Sequence, residues 1–248
     1  MEENILVFLV SFGAALLSSM SGGGSSAIVL PLFLSMGLSF PLATAIQKVS
    51  AVFWAPTAAW NYLRGRKIDW PFVVLFTVIG LVGAYIGVKV VLGIDERILE
   101  VVVGILILLL VIHTVLQKHA GLEEKFVTSR TRRLLAYPFA LLMGFYESVF
   151  GSGNGILFAV VAMKTRGFDF IDALGHYFLI ATFWVLFATL LLLMQGFYDI
   201  PLMLAGALGS IAGAYLGSAF ARFKGNVFIR MVFAIVGTLL GLKLLLGL

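Results

Sequence analysis

Gly83-Ala84-Tyr85-Ile86-Gly87 and Gly213-Ala214-Tyr215-Leu216-Gly217 are one five-residue phrase written twice, 130 residues apart. The same offset holds without a gap on both sides of them. Gly23 falls on Gly153, Gly37 on Gly167, Phe40 on Phe170, Ala43 on Ala173, Phe53-Trp54 on Phe183-Trp184, and the Asp69-x-Pro71 turn on Asp199-x-Pro201. Apolar sequence matches Leu to Val in any register. A single register that keeps paired Trp, paired Asp-x-Pro turns and paired glycine runs requires a tandem duplication, and duplicated apolar chains are characteristic of transporters.

The composition agrees. Of 248 residues, 61% are hydrophobic and 12% charged, and the mean hydropathy is +1.10. That is more apolar surface than a soluble core of this size buries, so a polytopic membrane protein is expected. The first segment follows directly on Met1-Glu2-Glu3-Asn4 with no basic stretch and no small-residue cleavage site, and it reads as part of the mature chain. Without cysteine the chain has no disulfide, no thiolate nucleophile and no thiolate metal site.

Apolar runs fall at about 5–20, 25–36, 42–63, 70–92 and 97–116, then at 134–149, 155–164, 171–195, 201–222 and 227–247. The second run of each half is too short to cross ~30 Å as a helix. Each follows a glycine cluster, Ser21-Gly22-Gly23-Gly24-Ser25-Ser26 in one half and Gly151-Ser152-Gly153-Asn154-Gly155 in the other. They read as the tips of two re-entrant hairpins. A hairpin plus three full crossings is an odd number, so the second half is expected upside down relative to the first.

Charge supports that topology. Placing 64–69, 117–133, 164–170 and 222–226 in the cytoplasm puts Arg64, Arg66, Lys67, Lys118, Lys125, Arg130, Arg132, Arg133, Lys164, Arg166, Arg222 and Lys224 there, which is 12 of the 17 Lys and Arg. The opposite loops at 37–41, 93–97 and 196–200 hold only Arg97. The expected fold is therefore all-α: a first transmembrane repeat at 1–116, a cytoplasmic linker at 117–133 and a second, inverted repeat at 134–248. Both termini are expected outside a plasma (inner) membrane. The basic linker reads as a solvated segment facing anionic lipid, not as a nucleic-acid site.

Glycine lets the chain turn sharply at membrane depth and lets an anion approach backbone N–H groups, while a half-helix N-terminus carries partial positive charge. Two such ends brought together by inverted hairpins would make a midplane anion site with neutral donors from Ser21, Ser25, Ser26, Ser152 and Asn154. The competing reading is close helix packing by small residues. The matched positions of the clusters, and the helices too short to span, favour the site. Glu147, flanked by Phe145, Tyr146, Val149 and Phe150, reads either as a proton-coupling carboxyl or as the static partner of Lys48. Asp172 and His176 share one helix face at a spacing that suits a proton relay or an interfacial pair.

In order and spacing these motifs resemble the sulfite exporter TauE/SafE family, the toluenesulfonate uptake permease superfamily, over nearly the whole chain from about Phe12 to Leu246. The residues that carry the resemblance are Gly22-Gly23-Gly24 with Pro31, Ala43-Thr44-Ala45-Ile46-Gln47-Lys48, Lys67-Ile68-Asp69-Trp70, Gly83 to Gly87, Gly144-Phe145-Tyr146-Glu147 and Phe150-Gly151-Ser152-Gly153-Asn154-Gly155. The chain departs from the family pattern at Gln47, Glu147 and Asn154, and at Phe178, which takes the second-half position matching Lys48. The resemblance implies secondary transport of small sulfur-containing or organic anions, with a homodimer as the assembly. It also tips Lys48 from snorkelling toward function, with Gln47 beside it.

The expected substrate-binding set is Ser21, Gly22, Gly23, Gly24, Ser25, Gln47, Lys48, Gly151, Ser152, Gly153, Asn154 and Gly155, with Glu147 and His176 as proton-coupling candidates. The expected partners are a small anion and membrane lipid, with no cofactor, metal or nucleic acid. An anion channel built on the same site is one alternative. An intramembrane hydrolase is another, disfavoured because no Ser shares a helix face with His176 or Glu147.

Overall fold

The computed structural model describes residues 2–90, 96–116, 121–123, 127, 129–149 and 151–247; Lys118, Lys125, Phe150 and most of the 93–97 loop fall outside them. Among the described residues the regular structure is entirely helical. In order come α1 (Glu2–Ser21), α2 (Ser25–Ser35), α3 (Phe40–Leu63), α4 (Trp70–Val90), α5 (Glu96–Leu116), α6 (Arg130–Leu134), α7 (Ala136–Val149), α8 (Asn154–Thr165), α9 (Phe170–Met194) and α10 (Ile200–Leu246).

The helix starts follow from local chemistry. The aspartates of the two Asp-x-Pro turns cap α4 and α10: Phe72 N–H donates to Asp69 Oδ1 at 3.2 Å, and Leu202 N–H to Asp199 Oδ1 at 3.0 Å. Each cap supplies an acceptor to an otherwise unpaired first-turn donor, while the proline gives up an N–H the helix does not use there. Asp169 caps α9 in the same way, accepting from Asp172 N–H at 2.7 Å.

Two details differ from the sequence reading. The expected loop at 222–226 shrinks to a single residue, Gly225 (φ 81°, ψ −177°), which breaks α10 into two helical arms. That conformation is open to glycine at little cost. The linker is not wholly solvated: the start of α6 in it is exposed, but Gly121 is buried and Gly121 O accepts from Phe170 N–H at 2.9 Å.

α1, α4, α9 and α10 are long and apolar enough to cross a membrane, and Leu9, Val78, Leu208 and Leu239 on them are more than half exposed. An apolar exterior of this kind suits lipid, and the molecule is built as a polytopic membrane protein. Packing crosses between the halves. α1 lies along the first arm of α10, α4 along α7, α3 along α9, and α5 along the second arm of α10. Under the 130-residue offset α1 becomes α7 and α4 becomes the first arm of α10, so the first two contacts exchange and the other two map onto themselves.

The repeated glycine phrases make the first two contacts possible. A Cβ at Gly83 would lie 2.0 Å from Leu141 O, and one at Gly144 would lie 1.9 Å from Gly80 O. On α10, a Cβ at Gly213 would lie 2.1 Å from Phe12 O, and one at Gly209 would lie 2.2 Å from Phe8 O. Backbone meets backbone without side chains between, as small-residue membrane interfaces require.

Candidate functional site

Both glycine runs break a helix with left-handed residues. Gly22, Gly23 and Gly24 (φ 87°, 147° and 111°) separate α1 from α2, and Gly151 and Gly153 (φ 74° and 78°) separate α7 from α8. The breaks touch. A Cβ on Gly155 would sit 2.0 Å from Gly22 O, and one on Gly23 would sit 3.0 Å from Gly153 Cα. The N-termini of α2 and α8 therefore start from one junction in the protein interior. A helix N-terminus carries partial positive charge, so the junction gathers two such ends; on α8 the first-turn N–H groups of Asn154, Ile156 and Leu157 are already met by Gly151 O and Gly153 O, at 3.3, 2.9 and 3.2 Å.

Lys48 and Glu147 lie beside the junction, 1% and 7% exposed. The Lys48 ammonium donates to the Glu147 backbone carbonyl and stands 3.9 Å from Glu147 Oε1. Asn154 Nδ2 donates to Glu147 Oε2 at 2.8 Å, and the Tyr177 hydroxyl donates to the same oxygen at 2.9 Å. Glu147 thus links α7 to α3, α8 and α9, and the Lys48 charge is met by a carboxylate. Asn154 Nδ2 also reaches Met143 O at 3.0 Å. Its Oδ1 and the Ser152 hydroxyl oxygen are buried without a hydrogen-bond partner. Ser21 Oγ lies 3.0 Å from both Leu17 O and Gly23 O.

Gln47, next to Lys48 in the chain, faces elsewhere. With Ser25 it lines a cavity of about 10 Å³ between α1, α2, α3 and α10, room for about one water molecule. Ser11, Ser50, Trp54 and Ser210 complete the polar part of that wall. Phe178 fills the second-half position corresponding to Lys48 and packs edge-on against Trp54 at 5.2 Å.

His176 lies away from the junction. Its Nε2 accepts from Asp69 N–H at 3.1 Å, so Nδ1 carries the proton and donates to Asp172 O at 2.7 Å. The Asp172 carboxylate faces Arg66 instead. Arg66 Nη1 stands 2.9 Å from both Asp169 Oδ2 and Asp172 Oδ2. Burial works against the Arg66 charge, but the two carboxylates outweigh it and hold the guanidinium above its ordinary value. Arg166 pairs with Asp69 at 3.2 Å, donates to the Tyr137 hydroxyl at 2.7 Å and lies 4.2 Å over the Phe72 ring. Asn226 joins Asp169 Oδ2 to Leu122 O, at 3.0 Å each.

This network ties the α3–α4 turn to the α8–α9 turn and to the bend of α10. At the opposite end the offset replaces its members Arg66, Arg166, Asp169, Asp172 and His176 with Gly196, Met36, Ser39, Leu42 and Ile46. One end of the molecule is cross-linked by charge; at the equivalent positions Asp69 alone keeps its residue type, as Asp199.

Sequence reasoning missed the donors to Glu147 and the serine cavity. Tyr177 was findable, because the offset makes it the counterpart of Gln47. The serines gave no such signal: Ser11, Ser50 and Ser210 stand singly among apolar residues and look like packing positions.

The chain matches the Sulfite exporter TauE/SafE family over residues 7–244. It is 26% identical over 244 residues to the Escherichia coli (strain K12) protein named "Probable membrane transporter protein YfcA", covering 97% of this chain and 88% of that one. A Haemophilus influenzae protein named "Probable membrane transporter protein" is 26% identical over 245 residues, 96% of this chain and 93% of its own. The Bacillus subtilis protein named "Probable membrane transporter protein YdhB" is 22% identical over 248 residues, 97% of this chain and 100% of its own. No solved structure matches. With a duplicated helical framework, two glycine breaks in contact and this match over nearly its whole length, the chain belongs to the sulfite exporter TauE/SafE family of membrane transporters.

Proposed function

We propose that the protein is a secondary carrier of small anions, sulfite, an organosulfonate or a related sulfur-containing or organic anion, working by alternating access in the plasma membrane. The observation that carries this reading is the contact of the two glycine breaks, Gly22 and Gly23 against Gly153 and Gly155. It brings two half-helix N-termini to one interior point, the arrangement by which broken-helix transporters hold anionic groups.

The halves 1–116 and 134–248 are read as inverted repeats joined by a cytoplasmic linker at 117–133, with both termini outside. Two facts support that topology. The basic residues fall on one side when it is assumed, and the exchange of α1 and α4 contacts with those of α7 and α10 is what a two-fold axis relating the halves produces. On this orientation the charge network around Arg66, Asp69, Arg166 and Asp169 closes the cytoplasmic end. The opposite end can then open first, and exchange between the two states requires the network to part.

Coupling is assigned to Glu147. Its carboxylate is the one acidic side chain at the junction among the described residues, it accepts from Asn154 and Tyr177, and it neutralises Lys48. Protonation would release Lys48 from its counter-charge and leave a net positive charge beside the start of α2, which strengthens the hold on an anion bound nearby without touching it. Flux of sulfite, sulfonates and carboxylates into proteoliposomes, with and without a pH gradient, tests the reading. Glu147→Gln should abolish accumulation driven by the pH gradient while leaving substrate exchange. Full pH-driven accumulation by Glu147→Gln would remove the carboxylate from the coupling step.

A further inference from the structure

The repeat is not symmetric where polar groups line space. On the first-half side, Ser11, Ser25, Gln47, Ser50 and Ser210 face a common cavity walled by Trp54. Each of these five polar residues is 8% exposed or less. The Ser11 hydroxyl oxygen is buried with no hydrogen-bond partner, an arrangement that costs about 1–3 kcal/mol when nothing compensates it. A Cβ on Gly206 of α10 would lie 2.4 Å from Ser50 Oγ and 3.4 Å from Ser11 Oγ, so the absence of a side chain there leaves room where the two hydroxyls converge.

The offset turns Ser11 into Leu141, Ser50 into Ile180, Gly206 into Phe76 and Ser210 into Gly80. Phe76 stacks on Trp184 at 5.9 Å, and a Cβ on Gly80 would lie within 2.1–2.4 Å of the Trp184 indole. The counterpart space is therefore filled by aromatic rings, and Trp184 Nε1 is spent on Thr77 O at 3.0 Å.

We propose that the serine cavity of the first half is the anion-binding pocket of the carrier: one small oxyanion per chain, held by neutral hydroxyl and amide donors with Ser25 at the start of α2, and with no fixed cation in its first contacts. The proposal rests on the carrier reading and adds to it where the ligand sits and what recognises it. The donor set fits the class. The Ser11 hydroxyl, the Gln47 carboxamide and the first-turn N–H groups of α2 can donate to an acceptor-only ligand, and the Ser50 hydroxyl, which donates to Ile46 O at 2.8 Å, can do so once that bond is exchanged. The lining carries no carboxylate to repel an anion and no cation to bind it irreversibly. Lys48, one residue from Gln47, is held on Glu147 and tunes the pocket from outside. Because the cavity has room for about one water, a sulfite-sized ligand enters only when Trp54 or the first arm of α10 yields. That displacement is how occupancy would be transmitted to the helices that move.

Equilibrium binding of sodium sulfite, methanesulfonate and sodium sulfate to the purified full-length protein, with proteoliposome flux of the same anions, tests this. Ser11→Ala removes a donor without adding bulk and should weaken binding of the preferred anion by about tenfold or more. Ser11→Leu installs the second-half residue and should abolish binding in protein that remains monodisperse. Should Ser11→Leu fail to fold, Ser11→Ala decides alone. Wild-type stoichiometry should be close to one anion per chain. Binding with both Ser11 variants unchanged from wild type overturns the pocket and leaves the carrier reading intact if flux persists. Binding that responds to Ser11, with no flux in wild type, supports the pocket and sinks the carrier reading. Neither binding nor flux for any of the three anions overturns both.

Discussion

Lys48 and Glu147 form the ion pair whose removal should be most visible. Both are nearly excluded from solvent, and the ammonium also donates to the Glu147 backbone carbonyl. Breaking a buried pair by deleting one partner costs about 3–5 kcal/mol, because the survivor is left as an uncompensated charge. Two features of the structure pull both values toward the low end. In Lys48→Met the carboxylate still accepts from Asn154 and Tyr177, and in Glu147→Gln the ammonium still has the backbone carbonyl. Each single variant should therefore lose about 3 kcal/mol, roughly 6–12 °C in Tm for a chain of this size. The double variant carries neither charge, and it should return to within about 2 kcal/mol of wild type. Unfolding of the four proteins in one detergent closes the cycle, with an expected coupling of about 4 kcal/mol or more. Additive losses, with the double variant as unstable as the sum of the singles, would refute the claim that the two side chains act as one unit.

Three further outcomes are expected. Gly213→Leu should prevent assembly, because its side chain would meet Phe12 O at 2.1 Å, whereas Gly13→Leu, with nothing within 4 Å of its Cβ, should give a normal monodisperse yield by size-exclusion chromatography. Arg66→Ala removes the guanidinium that bridges Asp169 and Asp172, so amide hydrogen exchange across 166–172 should quicken about fivefold or more; unchanged exchange would show that the network does not hold that end. Single cysteines placed at Lys67 and Lys224 should be shielded from an impermeant thiol reagent in intact cells, while one at Tyr198 should react, and the reverse pattern would overturn the assumed orientation.

The register of the duplication was readable because glycine, Trp and Asp-x-Pro are rare enough in apolar sequence to fix an offset. From that register came the two helix breaks, whose contact the structure shows. What sequence could not show was which polar groups meet across long separations. The Arg66 pairs span about a hundred residues, and both partners look like ordinary basic and acidic loop residues. Tyr177 and Asn154 converge on Glu147 from two other helices, and helical periodicity within one segment says nothing about a third. The serine cavity depends on Gly206 being small where its counterpart is Phe76, a difference that acquires meaning only once the two halves are packed. The polar stretch 222–226 looks like a loop in the sequence, but the single residue Gly225 makes the bend of α10 there.

The crossed packing of α1 on the first arm of α10 has a consequence for biosynthesis. α1 leaves the ribosome long before α10, and the glycine face it fits, Gly209, Gly213 and Gly217, is made only after the eight described helices between them. At roughly 5–20 residues per second the interval is on the order of ten seconds or more. During it, α1 sits in lipid with its buried-to-be face of Ser11, Ala14, Ala15 and Ser18 exposed. The first half cannot complete its own packing, so a chain interrupted before residue 200 leaves an orphaned helix for the membrane's quality-control machinery to find. Two separately encoded halves would have to be synthesised together to become stable.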